Sequence, residues 1–226
     1  MAWSRLYITV EGQSERKFAD DVLQPYFASF SIEVKTRVVL TNRKLGKRGG
    51  ILDFEKIRND LLRLMHEDYK PEARFTTMID LYALPHEFPG WEDAQKKMLP
   101  MERVQILESA LKKEMGDQRF LPYIQLHEFE TLLYCDLMQL QQRISGTETA
   151  FAALSKEVKH LNPEDINEGR ETAPSKRIIK HVPIYERLKV RVGAPAATAI
   201  GLPILRNKCP HFNSWISQLE KFNLLN

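Results

Sequence analysis

The chain has 226 residues, enough for one large domain or a domain with an appendage, and its 43% hydrophobic and 28% charged content is that of an ordinary water-soluble globule. A net charge of +3 and a pI near 8.8 permit nucleic-acid binding without demanding it. The two cysteines, Cys135 and Cys209, match no metal-site or disulfide spacing, which suggests a reducing, cytoplasmic setting. The N-terminal MAWSRLYITVEG lacks the length and cleavage site of a signal peptide, and no stretch approaches the length of a membrane span.

Residues 5–10 are nearly continuous in Leu, Tyr, Ile and Val and predict a central strand, broken at Gly12. Ser14 is a candidate cap for a helix carrying Phe18, Val22, Phe27 and Phe30 at helical spacing. Residues 32–40 alternate and predict a second strand, followed by the basic, glycine-rich loop TNRKLGKRGG. Asp53 is placed to cap a helix with Phe54, Ile57, Leu61, Leu64 and Met65 on one face. Residues 74–81 predict a third strand ending near Asp80, and the prolines and glycine of ALPHEFPG require a loop. Val104, Leu107, Leu111 and Met115 stripe a helix over 101–115, and residues 120–126 predict a fourth strand running into His127, Glu128 and Glu130.

This β-α-β-α-β-α-β order argues for an α/β sandwich with a mainly parallel sheet over residues 1–145. Residues 146–226 read as a helical, basic elaboration packed on the same core.

Ligands of open parallel sheets bind beyond the carboxyl ends of the strands. Glu11, Asp80 and Glu128 fall at three such ends. Converging carboxylates repel unless a cation lies between them, and hard oxygen ligands suit Mg²⁺ or Mn²⁺. Each acid alone is also explained as a loop or helix start, Glu15 as an acid favoured by a helix dipole, and Glu130 as the exposed face of a short helix. If the segment is extended, Glu128 and Glu130 share one face. His127 is better read as a structural histidine bonded to a backbone carbonyl than as a ligand or base. His86 and His211 read as loop and packing residues, and CPHFNSW as a segment docking the last helix through Phe212 and Trp215. No Walker loop and no dinucleotide fingerprint is present.

Five segments, VEGQSE, TTMIDLYALPHEFPG, PYIQLHEFETLLYCD, APSKRI and IGLPILRNKCPHFNSW, together resemble a bacterial domain-of-unknown-function family, number 4276, over nearly the whole chain. That family is grouped with the Toprim-like proteins. The resemblance implies a Toprim-like three-layer sandwich with a mainly parallel central sheet and a C-terminal helical elaboration. Toprim domains of topoisomerases, primases and nucleases of the overcoming-lysogenization-defect type place a glutamate after the first strand and an Asp-x-Asp after a later one. Glu11 and Asp80 match the glutamate and the first aspartate. Tyr82 stands where the second aspartate is expected, which weakens the usual site. Glu128 and Glu130 are candidate replacements, giving a metal set of Glu11, Asp80, Glu128 and Glu130.

The implied activity is metal-dependent phosphodiester hydrolysis on DNA or RNA, with a role in bacterial anti-phage defence beside an ATPase partner. Such chemistry calls for a cation at the phosphate, and PSKRIIKH offers Lys176 for catalysis and Arg177 and Lys180 for phosphate binding. Ser175 is a candidate helix start whose amides favour phosphate. Lys44, Lys47 and Arg48 form a second basic run suited to tracking a backbone. Both runs are equally explained as solvated basic surface. Two other readings stay open: a nucleic-acid-binding or regulatory subunit with a degenerate site, favoured by Tyr82, and a nucleotidyl-transferring, primase-like enzyme. Oligomeric state is not indicated.

Overall fold

The computed structural model describes residues 3–39, 53–166 and 172–223. The β-prone run at the N-terminus forms β1 (Ser4–Val10), and the next two strands are β2 (Ile32–Val38) and β3 (Ala73–Asp80). β1 lies between β2 and β3, parallel to both. Each connection between parallel strands needs a crossover, and the helical segments supply it.

The fourth strand differs from its sequence expectation. It divides into β4 (Phe120–Leu121) and β5 (Ile124–Gln125), both parallel to β3. Pro122 has no N–H for the ladder. At Tyr123 the Thr77 hydroxyl takes over, accepting from the Tyr123 N–H and donating to the Tyr123 carbonyl, each at 2.9 Å. The sheet order is β2-β1-β3-β4, with β5 extending the pairing along β3.

Alternation along the strands sends side chains to two opposite faces. Leu6, Ile8, Val10 and Met78 enter one apolar cluster, and Phe75 and Ile79 enter another. The sheet is therefore the middle of three layers. On the second face lie α3 (Phe54–Glu67), the short α4 (Trp91–Gln95) and α5 (Pro100–Met115). The stripes read from the sequence are the buried ones: Ile57, Leu61, Leu64 and Met65 in α3, and Val104, Leu107, Leu111 and Met115 in α5. Asp53 caps α3 by accepting from the Lys56 N–H. In the loop before α4, Gly90 has φ 79°, and a Cβ there would stand 2.8 Å from that of Ala110, so only glycine fits.

The first face is covered by α1 (Gln13–Phe18), which continues through wider π-type turns at Ala19–Leu23 into α2 (Gln24–Ala28). Ser14 does not cap it. Gly12 holds the cap position, with no side-chain cap, and Ser14 sits in the first turn. The same face receives α6 (Leu137–Gln141), α7 (Glu148–Val158), α8 (Pro174–His181), α9 (Tyr185–Ile200), α10 (Leu202–Lys208) and α11 (Pro210–Glu220). One apolar cluster thus runs from Leu6 to Leu219.

The CPHFNSW segment docks as its aromatics suggest. Phe212 and Trp215 are buried, Trp215 stacks on Tyr123 at 4.2 Å between ring centres, and its indole N–H donates to Thr76 Oγ1 at 2.9 Å. Burying each ring contributes about 2–3 kcal/mol, and the indole bond fixes α11 against the central strand.

Among the described residues, no single helix is long and apolar enough to cross a membrane. α9 and α10 together have the composition of a span, but they meet at 86° about Gly201 and their apolar faces line the core.

Candidate functional site: an acidic cluster at the strand ends

Glu11 follows the last residue of β1, Asp80 is the last residue of β3, and Glu128 follows β5 by three residues. Since β1, β3 and β5 are parallel neighbours, their carboxyl ends open on the same edge of the sheet. Glu11 Oε2 accepts the Asp80 backbone N–H at 3.2 Å, which joins the first two ends directly. After β5 the chain turns at His127, whose φ of 62° is left-handed and strained for a non-glycine residue. Its buried ring bonds the Glu164 carbonyl through Nε2 at 3.0 Å, the structural role read from the sequence. Burial lowers its pKa, so the ring stays neutral.

The turn leaves Glu128 extended and starts a tight 3₁₀ helix over Phe129–Cys135. Glu130 is not on an exposed helical face, one of the readings open from sequence. It is 7% exposed and points inward. It accepts from the Tyr185 hydroxyl at 3.2 Å and pairs with Lys189 Nζ at 3.2 Å. Tyr185 and Lys189 are four residues apart on α9 and so share a face. Glu128 Oε2 accepts the Ser175 N–H at 3.3 Å, from the first turn of α8.

A fifth acid joins them. Glu15 is 6% exposed in the first turn of α1. A Cβ on Gly12 would come within 3.0 Å of its Oε2, so the glycine leaves room for this carboxylate.

Burial and the neighbouring charges raise the proton affinity of Glu11, Glu15, Asp80 and Glu128. Burial first, then the Glu15 charge, pushes Glu11 up to about 8. Burial and Glu130 push Glu15 to about 7, against the amides of Glu15 and Gly12 that hold its charged form. Glu128 also rises to about 7, through burial and Glu130. Asp80 is driven well above the ordinary carboxylate range by burial and then by Glu11. Burial disfavours the charged form of Lys189, but Glu130 and Glu128 outweigh it and hold the ammonium above its ordinary pKa. Glu11, Glu15, Asp80 and Glu128 thus all hold their protons more tightly than ordinary carboxyl groups, beside a single charged lysine.

A cation would relieve this repulsion, and the donor set is all hard oxygen. Asp80 Oδ1 is buried and has no hydrogen-bond partner, which leaves a lone pair open to an ion. The chemistry therefore fits Mg²⁺ or Mn²⁺. Among the described residues, however, no three acid, histidine or cysteine side chains are gathered closely enough to ligate one ion as they stand. Side-chain rotation would have to bring them together.

The other sequence candidates are more scattered. Lys176 is exposed on α8, next to Ser175. Arg177 and Lys180 both pair with Glu157, at 2.6 and 3.5 Å, and Arg177 also donates to the Thr172 carbonyl. Tyr82 lies in the 3₁₀ turn Leu81–Ala83, half exposed. Lys44, Lys47 and Arg48 lie outside the described residues. Sequence reasoning passed over Lys189 and Tyr185, and gave Glu15 only a helix-dipole role. The available signal was the Tyr-x-x-x-Lys spacing of 185–189, which puts a hydroxyl and an ammonium on one helical face.

Comparison with known proteins places the chain. The profile of the family described as Domain of unknown function (DUF4276) matches residues 10–220. The chain belongs to that family. No curated protein matches it. Two solved structures are similar to it, both of the C-terminal region of the OLD protein of Xanthomonas campestris pv. campestris. One, phased with iodine, is 15% identical and covers 96% of this chain and 98% of its own, with a TM-score of 0.34. The other, phased with platinum, is 16% identical and covers 95% of each chain, also with a TM-score of 0.34. At these values the likeness carries no functional argument.

Proposed function

We propose that this member of the DUF4276 family is a Toprim-like, Mg²⁺- or Mn²⁺-dependent phosphodiesterase acting on nucleic acid, with the strand-end acids as its catalytic centre. The observation that supports this most is the gathering of Glu11, Asp80 and Glu128, with Glu15, Glu130 and Lys189, at one edge of a parallel sheet, with one buried Asp80 oxygen left without a partner. Glu11, Asp80, Glu128 and Glu130 would hold the metal. When bound, the ion would supply a positive charge against phosphoryl oxygens.

The chain's own groups have separable parts. Hydrolysis requires water to lose a proton as its oxygen attacks phosphorus, and the departing ester oxygen to gain one. Glu15, outside the metal set, has a proton affinity raised to about 7 by burial and Glu130, which suits such an exchange. Lys189 is held charged and half-buried beside Glu130, where it can offset negative charge gathering on a phosphate. Tyr185 fixes Glu130 and so positions Lys189. Lys176, exposed beside Ser175, would meet an adjacent phosphate. Arg177, Lys180, Lys44, Lys47 and Arg48 would track the strand. Action in bacterial anti-phage defence beside an ATPase, in the cytoplasm, is the setting that the family resemblance suggests.

A second reading is a nucleic-acid-binding or regulatory subunit with a degenerate site. Tyr82 in the expected aspartate position favours it, as does the absence, among the described residues, of three ligands already gathered.

Calorimetric titration of Mn²⁺ into the wild type and a folded Glu11→Ala/Asp80→Ala variant separates the two. Binding lost in the variant supports the catalytic reading, and manganese-dependent cleavage of single- and double-stranded DNA and RNA then tests the reaction. No binding to the wild type, even with a short oligonucleotide present, overturns the metal site and leaves the regulatory reading.

A further inference from the structure

Cys135 and Cys209 are 74 positions apart, yet their sulfurs lie 3.4 Å from each other. Both are free thiols and both are buried. Each stands at the end of an element. Cys135 is the last residue of the 3₁₀ helix that carries Glu130. Cys209 is the cap residue between α10 and α11, with its N–H bonded to the Leu205 carbonyl and its own carbonyl accepting from the Asn213 N–H. The neighbouring Lys208 Nζ donates to the Cys135 carbonyl at 2.7 Å, a second tie between the same two segments. Spacing alone could not reveal this pair, because the contact is made by packing between distant segments.

One side of the pair faces a groove of about 1140 Å³. Cys135 is part of its wall, together with Tyr134, Lys208 and Pro210. Cys135 is 1% exposed and Cys209 0%, so only a small neutral molecule admitted through the groove wall at Cys135 could reach the pair, and a bulky reagent is excluded. The thiol of Cys209 is kept protonated by its hydrogen bond with Cys135 and by burial, which makes Cys209 itself slow to react.

We propose that Cys135 and Cys209 are a redox modification site, forming a reversible intramolecular disulfide when a peroxide enters the groove. The Cys135 sulfur attacks one peroxide oxygen. The O–O bond breaks, a sulfenic acid forms, and the thiol proton leaves with the second oxygen as water. The Cys209 sulfur then attacks the Cys135 sulfur, the S–O bond breaks, and the hydroxyl leaves with the Cys209 proton as a second water. Two thiols have lost two protons and two electrons, and the peroxide has been reduced to two waters. The sulfurs must close from 3.4 Å to about 2.05 Å. That movement draws the end of the Glu130 turn toward α11. A reversible bond of this kind is the form in which disulfides occur in reducing compartments.

The test uses the full chain. Reduced protein is treated with hydrogen peroxide, quenched, unfolded in iodoacetamide, digested without reductant and mapped by mass spectrometry. The expected product is a Cys135–Cys209 cross-linked peptide lacking two hydrogens, with no intermolecular species and with reversal by dithiothreitol. Closing so long a loop is expected to raise Tm by about 5–10 °C. Two alkylated thiols, a sulfinic acid on either cysteine, or cross-links between chains would overturn the proposal. As a second readout, peroxide-treated Cys209→Ala should carry a sulfenic acid at Cys135 that dimedone traps when the protein is unfolded in its presence. A folded variant that takes up no dimedone would overturn the order of steps and the groove as the route.

Discussion

Glu11 Oε2 accepts the backbone N–H of Asp80 at 3.2 Å, so the acid that ends one strand caps the end of the strand beside it. This bond makes the two carboxyl groups part of one structure rather than two loop residues. The amide favours a charged Glu11, yet burial and the neighbouring carboxyls outweigh it and keep its proton bound to about pH 8. Holding these acids together therefore costs the folded chain stability where they ionise.

Asp80→Asn should distinguish a ligand from a scaffold residue. The wild-type carboxyl is driven toward its neutral form by burial and Glu11, so a neutral amide of the same shape should fold equally well or slightly better. It cannot lend an anionic oxygen to a divalent ion. Mn²⁺ affinity by calorimetry should fall at least tenfold, about 1.4 kcal/mol, while Tm in EDTA stays level or rises. Unchanged affinity would remove Asp80 from the metal set.

The acids also set a pH dependence. Glu11, Glu15 and Glu128 titrate in the folded chain at about 8, 7 and 7, against an ordinary value of 4.5. Raised folded values mean that between about pH 5 and 8 the folded chain binds more protons than the unfolded one. Stability must then fall as pH rises through this window. In EDTA, Tm should be several degrees lower at pH 8 than at pH 6. Saturating Mn²⁺ should flatten or reverse the slope, and Glu11→Gln should shrink it without metal. A flat profile in EDTA would show that neither burial nor mutual repulsion raises these acids in the folded chain.

Lys189 should matter to turnover more than to metal binding. Replacing it by Met removes the one cation in direct contact with Glu130 among the described residues. Mn²⁺ affinity should hold or increase, since a positive charge leaves the site. Cleavage of nucleic acid should fall roughly 100-fold in kcat, the scale seen when one charge-stabilising donor is lost. Lys189→Arg should recover part of it. Tyr185→Phe should give a smaller loss, because it loosens Glu130 without removing charge.

Much of the scaffold was legible because it obeys local periodicity. The stripes of α3 and α5, the cap at Asp53 and the apolar run of β1 each express a pattern of few residues. Strand-end acids could be named for the same reason. Their partners could not. Lys189 reaches Glu130 only because α9 packs against the turn after β5, and the turn points inward only because His127 adopts a left-handed backbone anchored to Glu164. The break in the fourth strand was marked in the sequence by Pro122, but its repair depends on a threonine 46 positions away.

That repair gives a test of the fold itself. Thr77 Oγ1 both accepts the Tyr123 N–H and donates to the Tyr123 carbonyl, and all three groups are buried. Thr77→Val keeps shape but leaves the buried Tyr123 amide without its Thr77 partner. An orphaned buried group costs about 1–3 kcal/mol, so the free energy of unfolding in urea should fall by that amount. Thr77→Ser retains the hydroxyl and loses one methyl, so its loss should stay near 1 kcal/mol. The contrast isolates the hydrogen bonds from packing. A loss in Thr77→Ser with none in Thr77→Val would mean that the methyl, not the hydroxyl, carries the contact, and that the short strands β4 and β5 are joined by packing alone.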